Sequence, residues 1–268
     1  MSKIKNKFLE LKSKNQKALI AYIVAGYPSE NDTLSAIRGL VKGRADIIEL
    51  GLPFSDPLAD GPVIQNASYI ALQKGINLSK FLSLVKKIRK ETDLPLVLMT
   101  YTNLLYRQGY DRFITLAKKA GIDGFILPDM AIEEAGEYLK AIRKNKADSI
   151  FLISPNTSPK RIKKIVLASS GFLYLVSVFG TTGKQQKIQQ YTIDAIKNTK
   201  KLVNRKIPIG VGFGVSTPQQ AKFFIQKGAD AVIVGSAFLR LIEKVPPKKI
   251  ESEIAKFTRS LKAATISQ

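Results

Sequence analysis

Two carboxylic acids carry the best opportunity for chemistry in this chain. The segment Ile47-Ile-Glu-Leu-Gly-Leu-Pro-Phe-Ser-Asp-Pro-Leu-Ala-Asp-Gly-Pro-Val-Ile-Gln65 opens as an apolar strand and places Glu49 near that strand's end. A carboxyl group among apolar neighbours resists ionisation, so its pKa rises towards the range useful for proton transfer near neutrality. A Glu in an ion pair capping a sheet would read the same way, and the residues leave both open. Asp60 follows in a loop too rich in proline, glycine and aspartate to be helix or strand; loop aspartates also make turns and caps. Asp56, in the same loop, is read as a turn and interface residue.

The rest of the composition narrows the chemistry. The chain has no cysteine and no histidine. Thiolate nucleophiles, disulfides, His-based triads and zinc sites of the usual ligands are therefore excluded, and no metal site is expected. Proton transfer must use carboxylates, lysines, tyrosines or water. The formal charge is +22, but the lysines are spread over helical stretches such as Lys86–Lys90 and Lys160–Lys164, with no nucleic-acid module and no interleaved aromatics. A solvated basic surface, with some attraction for an anionic substrate, is the expectation, and no nucleic-acid partner. The start, Met1 to Lys7, lacks a signal-peptide apolar region, and no apolar run is long enough to cross a bilayer, which predicts a soluble cytoplasmic protein.

The elements that position these acids follow a repeating order. Short Val/Ile/Leu runs alternate with amphipathic stretches: Ala18–Val24, Asp46–Leu50, Pro95–Met99, Gly124–Leu127, Ser149–Ile153, Phe172–Val176, Ile207–Val211 and Ala231–Val234 read as strands buried on both faces. Helical patterns lie between them, including Glu30–Val41, Phe81–Glu91, Tyr110–Ala120, Ile132–Asn145 and Pro218–Lys227. Eight such units without a composition break predict an α/β fold: one (β/α)8 barrel domain over residues 1–268. An additional N-terminal helix is expected to plug the barrel's bottom, and a surface helix to follow Pro246-Pro247. Gly43-Arg-Ala-Asp46, Gly121-Ile-Asp123 and Gly228-Ala-Asp230 recur between helix and strand, each glycine suiting a left-handed C-cap before the Asp turns the chain.

In such barrels chemistry gathers at the C-terminal ends of the strands. Late in the chain Gly212-Phe213-Gly214 follows one strand, and Gly235-Ser236 follows the last and opens a helix. Glycines there let backbone N–H groups approach an anion beside a positive helix end; each pair alone serves equally well as a tight turn, and both together favour a phosphate. After the sixth strand, Val178 to Lys187 is a loop of small and polar residues that composition alone reads as ordinary surface.

The run from Ile47 to Gln65 closely resembles the signature of the tryptophan synthase alpha subunit family. The resemblance extends over essentially the whole barrel through Tyr101-Thr-Asn-Leu104, Gly212-Phe-Gly-Val-Ser216 and Gly235-Ser236. It implies retro-aldol cleavage of indole-3-glycerol phosphate to indole and glyceraldehyde 3-phosphate, a step in tryptophan biosynthesis. It carries the catalytic roles to Glu49, as the acid–base group, and to Asp60, as partner of the indole nitrogen. It puts substrate contacts at Tyr22, Tyr101, Leu127, Tyr174 and Thr182, and the phosphate at Gly183, Phe213, Gly214, Gly235 and Ser236. For Leu127 a plain core role has equal weight. The chain departs from the commoner family form at Val178 and Thr181, where Arg and Val are usual, at Tyr22, usually Phe, and at Ala131, usually Pro. The resemblance further implies a beta-subunit partner in an α2β2 heterotetramer, docking on the Pro53–Pro62 loop. No cofactor would sit on this chain, pyridoxal phosphate being carried by the partner. Two alternatives stand beside it: a lyase that works alone and releases free indole, and a barrel that binds a phosphorylated ligand without catalysis.

Overall fold

The computed structural model describes residues 1–176, 190–204, 206–212 and 214–266. Nine strands, β1 (Ala18–Val24), β2 (Ile47–Gly51), β3 (Leu96–Met99), β4 (Gly124–Ile126), β5 (Asp148–Ile150), β6 (Leu152–Ile153), β7 (Leu173–Val176), β8 (Ile209–Gly212) and β9 (Ala231–Val234), form one parallel sheet. Its order is β5-β4-β3-β2-β1-β9-β8-β7-β6. The two end strands are separated in sequence only by Phe151, so the ring closes through the chain itself, and β5 with β6 make one strand position of an eight-membered barrel. Tyr174 N–H donates to the Phe151 carbonyl at 3.1 Å and Ser170 N–H to that of Ser149 at 2.8 Å across this seam. The expected strand Ser149–Ile153 is thus divided at Phe151, a break that its uniformly apolar run does not signal.

The strands are buried on both faces because helices cover their outside and side chains fill the interior, which is why their sequences lack polar alternation. The N-terminal helix Lys3–Ser13 closes the bottom as expected, burying Ile4, Phe8 and Leu11. Ile4 sits against Gly124, where a Cβ would lie 2.8 Å from its Cδ1, and Phe8 packs on Phe172 with ring centroids 6.0 Å apart. The final helix Ile250–Ala263 lies against the helix Glu30–Lys42 and buries Ile254, Thr258 and Leu261. The helical pattern over Ile132–Asn145 is regular helix only from Gly136 to Lys144.

The three Gly…Asp junctions are structural, with one correction. Gly121 and Gly228 have φ of +123° and +106°, as a left-handed cap requires. Gly43 does not: its φ is −81°, and the positive φ of +66° falls on Arg44. Gly43 is a glycine for another reason, since a Cβ there would stand 2.3 Å from Thr258 Cβ; the bare backbone lets the last helix approach. The aspartates tie strand starts together. Asp46, Asp123 and Asp230 accept from the N–H groups of Leu19 (2.7 Å), Leu96 (3.0 Å) and Ile209 (3.0 Å) on the preceding neighbour strands. Each is also paired with a cation: Lys262 at 2.7 Å, Arg89, and Lys200 at 2.7 Å respectively. These ties occupy the end of the barrel opposite the acids, leaving the C-terminal strand ends for the site. Among the described residues, no helix is long and apolar enough to cross a membrane.

Candidate active site

Glu49 is the central residue of β2, in register with Tyr22 on β1 and Val97 on β3. It is 1% exposed, and both its carboxyl oxygens are buried without a hydrogen-bond partner among the described residues. The ion-paired reading of Glu49 therefore fails. A buried acid with no donors cannot hold a charge cheaply. Burial first, and the neighbouring charge of Asp60 second, push its pKa up to about 8. At neutral pH it carries a proton.

Asp60 comes from the loop between β2 and the helix Pro62–Gln73. The loop is knitted by short-range bonds: Leu58 N–H to the Asp56 carbonyl at 2.9 Å, Asp60 N–H to that of Pro57 at 3.0 Å, and Gln65 Nε2 to that of Asp60 at 2.9 Å. Gly61 and Pro62 then start the helix, Pro62 costing nothing at a position whose N–H has no intrahelical partner. Asp56 makes the turn expected of it, its carboxylate accepting from the Ser55 hydroxyl while its carbonyl receives Leu58. The Asp60 side chain accepts from the Tyr101 hydroxyl at 3.1 Å through Oδ2, whereas Oδ1 is buried and has no hydrogen-bond partner among the described residues. Burial raises its pKa to about 6, against the Tyr101 hydrogen bond, which lowers it. The two acids consequently occupy different states near pH 7, one protonated and one ionised, a division set by environment.

Three tyrosines surround the pair. Tyr22, Tyr101 and Tyr174 are each 5% exposed. The phenols of all three are raised by burial first, and those of Tyr22 and Tyr174 then feel both Glu49 and Asp60. The five groups therefore share one chamber at the strand ends. Two glycines of the quoted motifs make room for them, a part that the sequence reading did not give them. A Cβ on Gly51 would lie 2.3 Å from the Tyr22 hydroxyl, and one on Gly212 would lie 2.3 Å from that of Tyr174. A glycine closing an apolar strand is the signal that could have found them, since it marks close approach by another group.

Gly235 has a double position. A Cβ there would meet Tyr22 Cδ1 at 3.0 Å, and Gly235 is also the N-cap of the helix Ser236–Lys244, which has no side-chain cap. Uncapped first-turn N–H groups and the positive helix end suit an anion. Gly214 has φ +83°, a backbone open to glycine. Leu127 directly follows β4 and is 3% exposed within the core. Thr182, Gly183 and Phe213 lie outside the described residues, as does the segment Val178 to Lys187. Asp129 is engaged, its carboxylate accepting from Thr102 N–H at 3.0 and 3.1 Å and from Thr102 Oγ1 at 2.9 Å. A cavity of about 710 Å³, lined by Asp129, Ile132, Asn156, Arg161 and Val176 among others, contains neither acid and is not this site. Among the described residues, no cluster of three or more metal-binding side chains occurs.

Comparison with known proteins places the chain in a family. The sequence signature described as Tryptophan synthase alpha chain matches residues 8–266. The tryptophan synthase alpha chain of Methanosarcina acetivorans is 45% identical over 98% of this chain and 94% of its own length. That of Petrotoga mobilis is 44% identical over 98% of this chain and 99% of its own. A crystal structure of tryptophan synthase from M. tuberculosis in its aminoacrylate-bound form superposes with a TM-score of 0.87 at 33% identity, covering 99% of this chain and 100% of that one. A structure concerned with mutual activation of the tryptophan synthase α2β2 complex from Pyrococcus furiosus gives 0.86 at 36% identity, covering 92% and 98%. With a (β/α)8 barrel and likeness along nearly its whole length, the chain belongs to the tryptophan synthase alpha chain family.

Proposed function

We propose that the chain cleaves indole-3-glycerol phosphate to indole and glyceraldehyde 3-phosphate by acid–base catalysis at Glu49 and Asp60. The observation that carries this reading is Glu49, buried without a hydrogen-bond partner among the described residues and in the field of the neighbouring Asp60, so that its pKa is raised. In the reaction Glu49 gives its proton to C3 of the indole ring. The ring is then a cationic tautomer, and the Asp60 carboxylate facing the ring N–H stabilises it. The bond from C3 to the first glycerol carbon breaks, its electron pair returning to the ring. The hydroxyl on that carbon gives its proton back to Glu49 as it becomes the aldehyde. Glu49 ends as it began, so the step balances with no external acid, metal or redox partner.

Tyr22, Tyr101, Tyr174 and Leu127 form the apolar walls for the ring in this reading. Gly214, Gly235 and Ser236 receive the phosphate at the uncapped helix start, with Gly183 and Phe213 as further donors. Thr182, by the family resemblance, contacts the substrate. Indole passes to a beta subunit seated on the Pro53–Pro62 loop, and pyridoxal phosphate belongs to that partner. The likeness to a chain of the α2β2 complex from Pyrococcus furiosus supports such a partnership. The test is indole release from indole-3-glycerol phosphate by the isolated chain, then with a tryptophan synthase beta subunit added. Turnover that rises many-fold on addition is expected, and Glu49→Gln should abolish it while substrate still binds. Normal turnover by Glu49→Gln would overturn the mechanism; full activity without a partner would leave the lyase standing and remove the subunit role.

A further inference from the structure

The mechanism needs Asp60 held in one place, yet Asp60 sits on an irregular loop, and the contacts that hold it come from three consecutive residues of another strand end. Thr100 Oγ1 donates to the Leu52 carbonyl at 3.3 Å, at the root of the loop. The Tyr101 hydroxyl donates to Asp60 Oδ2 and accepts from Ala59 N–H, both at 3.1 Å. The Tyr101 ring stacks on Phe54 with centroids 5.2 Å apart and planes 28° apart. Thr102, next in line, is fixed from its other side by Asp129 through three bonds of 2.9–3.1 Å.

We propose that residues 100–102 form a clamp in which Tyr101 is a positioning residue for Asp60, with Asp129 anchoring the clamp through Thr102. The loops after β2, β3 and β4 are thereby tied in series, Asp129 to Thr102, Tyr101 to Ala59 and Asp60, and Phe54 to Tyr101. A single phenol both orients the carboxylate and donates to its ionised form, a bond that favours the charge. The ring of Phe54 links the same phenol to the outer part of the loop, where Leu58 is 92% exposed. A contact made on that loop can therefore reach Asp60 through one aromatic pair and one hydroxyl. The other titratable groups whose charge fields overlap this chamber are Glu49 on β2, Tyr22 on β1 and Tyr174 on β7.

The inference rests on the assignment of Asp60 made above, so its test includes a readout that does not need turnover. The carboxyl carbon of Asp60 is followed by NMR against pH in the full-length chain, the resonance being identified by its loss in Asp60→Asn. Tyr101→Phe keeps the ring and the Phe54 stack but removes the donor. The Asp60 midpoint should rise by about one pH unit, the scale of one hydrogen bond to a charged group. In turnover, Tyr101→Phe and Asp129→Asn should lower kcat several-fold with KM changed less than about twofold, since bonds to Asp60 rather than to substrate are lost. If Tyr101→Phe does not fold, Asp129→Asn should still move the Asp60 midpoint upward. An Asp60 titration unchanged in the folded variant would overturn the clamp. A shifted titration in a chain that does not cleave the substrate would instead support the clamp and sink the proposed reaction.

Discussion

Replacing Glu49 by glutamine should make the protein inactive and more stable, and the size of the gain follows from its burial. In the unfolded chain Glu49 ionises near its ordinary 4.5, whereas in the fold it keeps its proton up to about 8. Between those values the folded state binds more protons than the unfolded one, so stability falls as pH rises from about 4.5 and levels off above about 8. At pH 7 this single group withholds about 3 kcal/mol of stability. A glutamine side chain has nearly the same volume and no charge to suppress, so the Glu49→Gln variant escapes the penalty. Urea unfolding of both proteins at pH 5, 7 and 8.5 measures it. The two should agree within about 1 kcal/mol at pH 5 and separate by about 3 kcal/mol at pH 7, with a rise in Tm on the order of 5–10 °C. The separation should widen further at pH 8.5. Parallel stability–pH curves for the two proteins would refute the claim that the fold holds Glu49 protonated, and with it the role of Glu49 as proton donor.

The same two pKa values predict a bell-shaped pH dependence of kcat/KM, rising as Asp60 ionises near 6 and falling as Glu49 deprotonates near 8. A profile with no alkaline fall would count against Glu49 as the acid. On the opposite end of the barrel, Gly43→Ala should destabilise by about 1–3 kcal/mol, because the new methyl would stand 2.3 Å from Thr258 Cβ and 2.9 Å from the Ala255 carbonyl oxygen. Thermal unfolding at an unchanged Tm would show that the last helix does not need that close approach.

Much of the fold was legible from local pattern. Apolar runs such as Ala18–Val24 and Ala231–Val234 match observed strands residue for residue, because a strand covered on both faces must be continuously apolar. The segment Ile47–Gln65 was informative for a related reason: its strand, turn and helix start are encoded by neighbouring residues, so Glu49 and Asp60 could be placed on a strand and a loop before any contact was known. Gly43 shows where local reading fails. Its neighbours make it look like a left-handed cap, but the reason for glycine lies far along the chain, at Thr258. The same holds for Gly51 and Gly212, whose missing side chains matter only once Tyr22 and Tyr174 lean over them.

Residue types alone determined that any proton transfer here had to use carboxylates, lysines, tyrosines or water, and the alternation of apolar and amphipathic stretches determined a barrel with those groups at its strand ends. Only the tertiary structure decided that Glu49 has no hydrogen-bond partner among the described residues, that Tyr101 reaches Asp60 from another strand, and that burial raises the pKa of Glu49 further than that of Asp60. Protonation state depends on burial and on partners distant in the chain, and these exist only after the strands have closed into a ring.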